Sequence, residues 1–276
     1  MPRCVVGMSQ ILKIVRKRQS SRVPFNPERS VAKQDLKQIL EAARWAPTAH
    51  NMQNFEIIMV DSKELLGKIG NIKSPISEAF IRENYQQLSF SKEEFLQRKV
   101  GILATMFPPE WRDPAKVDEV VRESKSWLLS ETMEGSPVVL IVIYDRRKRA
   151  PASEGDFLGI ISLGCVMENM WLVAQDLGIS FHVMSVFAAD LVENELKRLL
   201  KIPEYMKIAL AIRLGYPLSM SAQYLRVRRD LDTFVHDNRF RNEWTTSSYT
   251  PSSLSRRAAS HSKKKHSVHK SRIANL

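Results

Sequence analysis

The stretch "PVVLIVIY", residues 137–144, is an unbroken apolar run dominated by β-branched residues. A run of this kind reads as a strand covered on both faces, so helices must lie above and below it. Working outward, "DFLGIISLGCVMENMWLVAQDL" (156–177) is apolar nearly all round. That pattern predicts a helix buried in the core or in a subunit interface, stopped by Gly178. A strand "ISFHVMSV" (179–186), a helix "DLVENELKRLL" (190–200) with Asp190 as its N-cap, and a strand "KIALAIRLG" (207–215) complete the body. Strands alternate with helices, which indicates an α/β or α+β architecture.

Upstream of the run, "KQDLKQILEAARWAP" (33–47) places Leu36, Ile39, Leu40 and Ala43 at helical spacing. Pro47 should end that helix by disfavouring the helical state of Ala46. Next come a strand "FEIIMV" (55–60) and a short helix in "DSKELLGKIG" (61–70). Residues 76–135 form a charged, mostly helical stretch broken at Pro108 and Pro109, which reads as a lid or insertion.

The composition, 43% apolar and 26% charged over 276 residues, is that of a globular chain. Of the formal charge of +12, residues 241–276 carry +7, with eight Lys or Arg against the single Glu243. The remainder keeps only +5, so the high pI does not make the body a nucleic-acid binder. We expect domain limits of 1–8 for a lead-in, 9–241 for the folded body and 242–276 for a disordered basic tail.

Cys4 and Cys165 have no paired spacing for zinc or a disulfide framework, which suits a reducing, cytoplasmic setting. Apolar runs such as 136–144 fall far short of the roughly 18 residues of a membrane span, so none is expected. The basic amino end lacks a secretory apolar core and reads as a lead-in to an amphipathic helix starting near Ser9.

No G-x-G-x-x-G, Walker loop, H-E-x-x-H or G-x-S-x-G occurs in the sequence. Three of the six His lie in the tail, which leaves little for a His-based metal site or triad. His182, on a strand face, reads as a satisfied core residue.

Three polar clusters remain. "RKRQSSR" (16–22) mixes guanidinium forks with hydroxyls, the donor set a phosphate takes, although the basic end of a solvated helix looks the same. "EAARWAPTAHNMQNF" (41–55) crowds His50, Asn51, Gln53 and Asn54 at a strand mouth, more amide than a turn requires. "YLRVRRDLDTFVH" (224–236) follows the strand ending in "LGYP" and puts Arg226 and Arg228 on one side of an extended segment, with Arg229 on the other.

In this order, with R-x-S-x-R at Arg18, Ser20 and Arg22, then the amide stretch, the buried strand, "LGYP" and "RRDLDTFVHDNRF", residues 9–240 resemble the FMN-dependent nitroreductase family. The resemblance implies an α+β fold with a central, mostly antiparallel sheet, and a homodimer with two sites, each built from both subunits around one FMN. It implies that Arg18, Gln19, Ser20 and Arg22 hold the phosphate and ribityl side, with Arg22 reaching toward the ring edge at N1. Arg228, with Arg226 or Arg229 beside it, would close on the same phosphate. Pro47, Thr48, Asn51 and Gln53 of the partner subunit would flank the ring and ribityl groups.

Two departures from the family pattern stand out. Gln53, Asn54 and Phe55 replace the common Gln-Pro-Trp, and "HVMSVFAAD" lacks the usual glycines where a backbone amide meets flavin N5, which makes Ser185 and Val186 the counterparts. The activity implied is hydride transfer from NADH or NADPH through N5 to a nitroaromatic, quinone or similar planar acceptor, with ping-pong order. Tyr85, Phe90, Phe107, Trp111 and Trp127 of the insertion either stack on that acceptor or pack the insertion onto the body. Alternatives are a reductive dehalogenase or a flavin-consuming relative and, in another class, a weak, salt-sensitive polyanion binder using the tail.

Overall fold

The computed structural model describes residues 8–88, 93, 113–123, 126–133, 135–151, 153, 155–219, 228, 230–242 and 244. In chain order the helices are α1 (Gln10–Lys17), α2 (Lys33–Arg44), α3 (Lys63–Gly70), α4 (Glu78–Leu88), α5 (Val117–Glu123), α6 (Leu129–Met133), α7 (Phe157–Asp176) and α8 (Asp190–Leu200). The strands are β1 (Phe55–Val60), β2 (Lys73–Pro75), β3 (Ser126–Leu128), β4 (Val138–Asp145), β5 (Ser180–Met184) and β6 (Met206–Gly215).

The main sheet runs in the order β1-β4-β6-β5, and every neighbouring pair is antiparallel. With α1, α2, α7 and α8 around it, this is the expected α+β architecture. Strand β4 lies between β1 and β6, and its alternate residues feed two cores, as the two-face rule requires. Val138, Leu140 and Val142 pack with Leu36 and Ile39 of α2 and Leu163, Val166 and Met170 of α7. Val139, Ile141 and Ile143 pack on the other face with Ile69, Leu129, Val192 and Leu196.

Several expectations need correction. Ala189, not Asp190, is the N-cap of α8, and Asp190 is its first helical residue, where a carboxylate still favours the positive end of the dipole. The apolar run after residue 179 leaves the sheet at Met184 and turns into the 3-10 segment Ser185–Ala188. Helix α2 stops at Arg44, ahead of Pro47. In the 76–135 stretch, β3 pairs with β2 as a small second sheet, an element too short and too polar for periodicity to announce. Pro108, Pro109, Phe90, Phe107 and Trp111 lie outside the described residues, as does the tail beyond Trp244.

Helix α7 is, among the described residues, the one element long and apolar enough by length and composition to cross a membrane, although Glu168, Asn169 and Asp176 interrupt its apolar run. Gly159, Leu163, Val166, Met170 and Ala174 are buried along one side of it, in the core of the fold. Its other side leaves Phe157, Ile160 and Ile161 at 66%, 51% and 49% exposure. Helix α1 packs near it and exposes Ile11, Leu12 and Val15.

Candidate active site

The chain leaves α1 at Arg18 in an extended conformation and runs beside β5. Ser20 forms a parallel bridge with Phe181, and the Ser21 N–H donates to the Phe181 carbonyl at 2.9 Å. Extended backbone alternates its side chains, so Ser21 is buried while Ser20 and Arg22 share the other, half-buried side. Arg18 Nε donates to Glu168 Oε1 at 2.7 Å, and its guanidinium lies 4.7 Å from the centre of the Trp171 ring. Trp171 in turn stacks on Phe181 at 5.0 Å.

Gln19, Ser21, Trp171, Gln175, Ile179 and Phe181 line a small cavity of about 120 Å³. Trp171 Nε1 is buried without a hydrogen-bond partner among the described residues.

The amide loop is anchored to the same helix. The Ala49 N–H donates to Ser162 Oγ at 3.1 Å, and that hydroxyl donates to the Leu158 carbonyl at 2.7 Å. Thr48 Oγ1 accepts from the Gln53 N–H at 3.2 Å, and Gln53 Nε2 donates to Asn51 Oδ1 at 2.9 Å. These bonds hold a strained path. His50, Asn51 and Gln53 take φ values of 51°, 51° and 41°, in the left-handed region that costs a non-glycine residue about 1 kcal/mol or more.

Pro47, Asn51 and Gln53 are exposed and Thr48 half-buried, so the loop presents its polar groups outward. Asn54, where the family pattern has proline, is 2% exposed and packs against Gly159, where a Cβ would meet Asn54 Nδ2 at 2.9 Å. Its Oδ1 has no hydrogen-bond partner among the described residues.

Ser162 and Glu168 are six residues apart, so the two anchors lie about 9 Å apart along the axis of α7. Helix α7 therefore carries both candidate clusters.

The third cluster is described only at Arg228, which is exposed; Arg226 and Arg229 lie outside the described residues. Ser185 and Val186 open the 3-10 turn after β5. Tyr85 lies in α4 and Trp127 in β3.

Sequence reasoning missed Arg213. This β6 residue is 1% exposed and donates from Nε to His182 Nδ1 at 2.9 Å, from Nη1 to the Met133 carbonyl at 3.0 Å, and from Nη2 to the carbonyls of Ser21 and Val23 at 3.2 and 3.1 Å. The signal was present: a lone Arg inside "IALAIRLG" must be buried, and a buried guanidinium must be bonded. His182 is satisfied as expected. Burial first, and then the charges of Arg213 and Arg22, push its pKa down to about 3. No group of three or more His, Cys, Asp or Glu among the described residues could hold a metal.

The nitroreductase family model matches residues 15–216, which contain the first cluster, the amide loop and the whole main sheet. The chain belongs to the nitroreductase family, and that membership places it among the oxidoreductases. Among solved structures it is similar to the nitroreductase with bound FMN from Desulfitobacterium hafniense DCB-2 (21% identity, covering 84% of this chain and 100% of that one, TM-score 0.51). It is also similar to the nitroreductase family protein from Clostridium difficile 630 (18% identity, 84% and 99% covered, TM-score 0.52). These likenesses speak for the fold. No curated protein matches.

Proposed function

We propose that this chain is a homodimeric, FMN-dependent oxidoreductase that takes electrons from NADH or NADPH and passes them to a nitroaromatic, quinone or similar planar acceptor. The observation that carries the reading is the strained amide loop anchored to α7 at Ser162, which in a dimer would face the flavin held by the cationic stretch of the other subunit. A loop that holds three left-handed non-glycine residues and turns its amides outward is costly to keep without a ligand.

The donor set fits FMN. Arg18, Gln19 and Ser20 offer a guanidinium, an amide and a hydroxyl to a phosphate ester, Arg22 reaches from the ribityl side toward the ring, and Arg228, with Arg226 or Arg229, adds charge at the phosphate. Pro47, Thr48, Asn51 and Gln53 of the partner subunit offer apolar contact and amides to the ring and ribityl chain. Bound there, FMN supplies hydride chemistry at N5. Arg22 contributes a fixed positive charge that favours electron-rich forms of the ring, and the backbone at Ser185 and Val186 offers N–H groups to its edge. The exposed face of Phe157, Ile160 and Ile161 supports the dimer, because a two-fold interface buries the same patch of both subunits.

We take residues 9–241 as the catalytic body in a cytoplasmic enzyme and residues 242–276 as a basic tail making weak, salt-sensitive contact with polyanions. Truncation after Arg241 should leave cofactor and turnover intact.

The test is an anaerobic titration of the FMN-loaded protein with NADH and NADPH, followed by nitroaromatic, quinone and iodinated phenol acceptors. Bleaching by a nicotinamide donor and recovery of colour with the first two acceptors is the expected result. Recovery with iodinated phenol alone assigns reductive dehalogenation, and failure to bleach with either donor refutes the nicotinamide step.

A further inference from the structure

Arg213 lies between Ile212 and Leu214 in β6 at 1% exposure, and its charge is removed from water at a cost that its bonds must offset. A Leu or Met at this position would fill a core more cheaply. What the guanidinium does that an apolar side chain cannot is bond three separate pieces of chain: His182 on β5, the Met133 carbonyl at the end of α6, and the carbonyls of Ser21 and Val23. The last two flank Arg22. The face of Phe25 covers the same guanidinium, with the ring centre 4.4 Å from its carbon.

Phe25 is itself wedged in place. A Cβ on Gly215 would sit 2.7 Å from its ring, and one on Gly135 would sit 2.4 Å from its carbonyl oxygen. The stretch carrying Ser20 and Arg22 is thus tied at Ser21 to β5, locked at Phe25, and gathered between those points by Arg213. His182, kept neutral by burial and by the cations around it, leaves the Nδ1 lone pair that Nε of Arg213 needs.

We propose that Arg213 is a positioning residue for the phosphate-binding stretch: by bonding the carbonyls of Ser21 and Val23 it sets the backbone register from which Ser20 meets a flavin phosphate. The assignment rests on the flavin reading above. It touches no ligand and acts through the backbone of residues 21–23, the kind of supporting contact that sets how tightly a binding group is held.

The experiment measures Kd for FMN and for riboflavin by quenching of flavin fluorescence in wild type, R213M, R213K and E193Q. Riboflavin lacks the phosphate, so the ratio of the two constants reads the phosphate contacts alone. In R213M the FMN constant should rise about tenfold to a hundredfold while the riboflavin constant moves less than about threefold, collapsing the ratio. R213K, whose ammonium reaches fewer carbonyls, should give an intermediate ratio, and it serves as the reading if R213M does not fold. Glu193 is a buried carboxylate outside the site, bonded to Lys207 and the Ile208 N–H, so E193Q should lower stability and keep the ratio. A wild-type ratio retained by R213M or R213K, or collapsed equally by E193Q, overturns the assignment. Wild-type protein that binds neither flavin removes the flavin reading first, and this assignment with it.

Discussion

Arg18 is held to α7 by Glu168, 2.7 Å from Nε to Oε1, so the first cation of the R-x-S-x-R stretch is drawn against the helix rather than spread into solvent. The pair is about 26% and 31% exposed, and partly solvated ion pairs contribute about 1 kcal/mol or less. R18M should therefore lower the melting temperature only slightly. It should weaken FMN binding by about tenfold or more, because a guanidinium proposed to bond the phosphate is lost. Calorimetry and a fluorescence titration on the same preparation check both halves; a large drop in stability with unchanged affinity would assign Arg18 to the fold.

The amide loop should behave in the opposite sense. His50 is exposed at φ 51°, a conformation that glycine adopts without cost. H50G should stabilise the protein by about 1 kcal/mol in urea unfolding. N51A, which removes the acceptor for Gln53 Nε2, should leave stability within about 1 kcal/mol but weaken flavin binding.

His182 gives a pH signature. Its folded pKa of about 3 lies below the ordinary 6.5, so between these values the unfolded chain binds the proton that the folded chain refuses. Stability from this group is complete above pH 6.5 and is lost as the pH falls toward 3, at a slope of up to about 1.4 kcal/mol per pH unit. H182Q keeps an acceptor for Arg213 and does not titrate. The difference in unfolding free energy between wild type and H182Q should therefore change in favour of the variant on acidification from pH 7 to 4, and a pH-independent difference would contradict the assignment.

The uncovered side of α7 predicts an oligomer. Sedimentation should find the wild type dimeric, and I161R should shift it toward monomer and release flavin. A monomeric wild type that retains FMN would show that one chain completes the site.

Much of this fold is legible in the sequence, and the exceptions have physical causes. Strand β1 occupies "FEIIMV" and β4 runs one residue past its predicted end, because both are apolar runs closed by polar residues. β5 ends early because "SVFA" is as apolar as the strand before it, and hydrophobicity does not distinguish a buried 3-10 turn from two more strand residues. α7 reads as apolar all round, yet periodicity could not say which side meets the sheet; Gly159, tight against Asn54, marks the buried side only once the chain is folded. At the site, the Arg18 and amide clusters were visible as unusual composition. Their common attachment to α7 through Glu168 and Ser162 joins residues more than a hundred positions apart, which no local pattern encodes.

The central claim is that the arginine stretch and the amide loop serve one flavin, and equilibrium dialysis of the apoprotein against FMN tests it most directly. The account predicts one FMN retained per chain, with yellow colour that survives gel filtration and falls away in R18M and R22M. Protein that stays colourless after exposure to excess FMN, or that holds FMN equally well without either arginine, would contradict it.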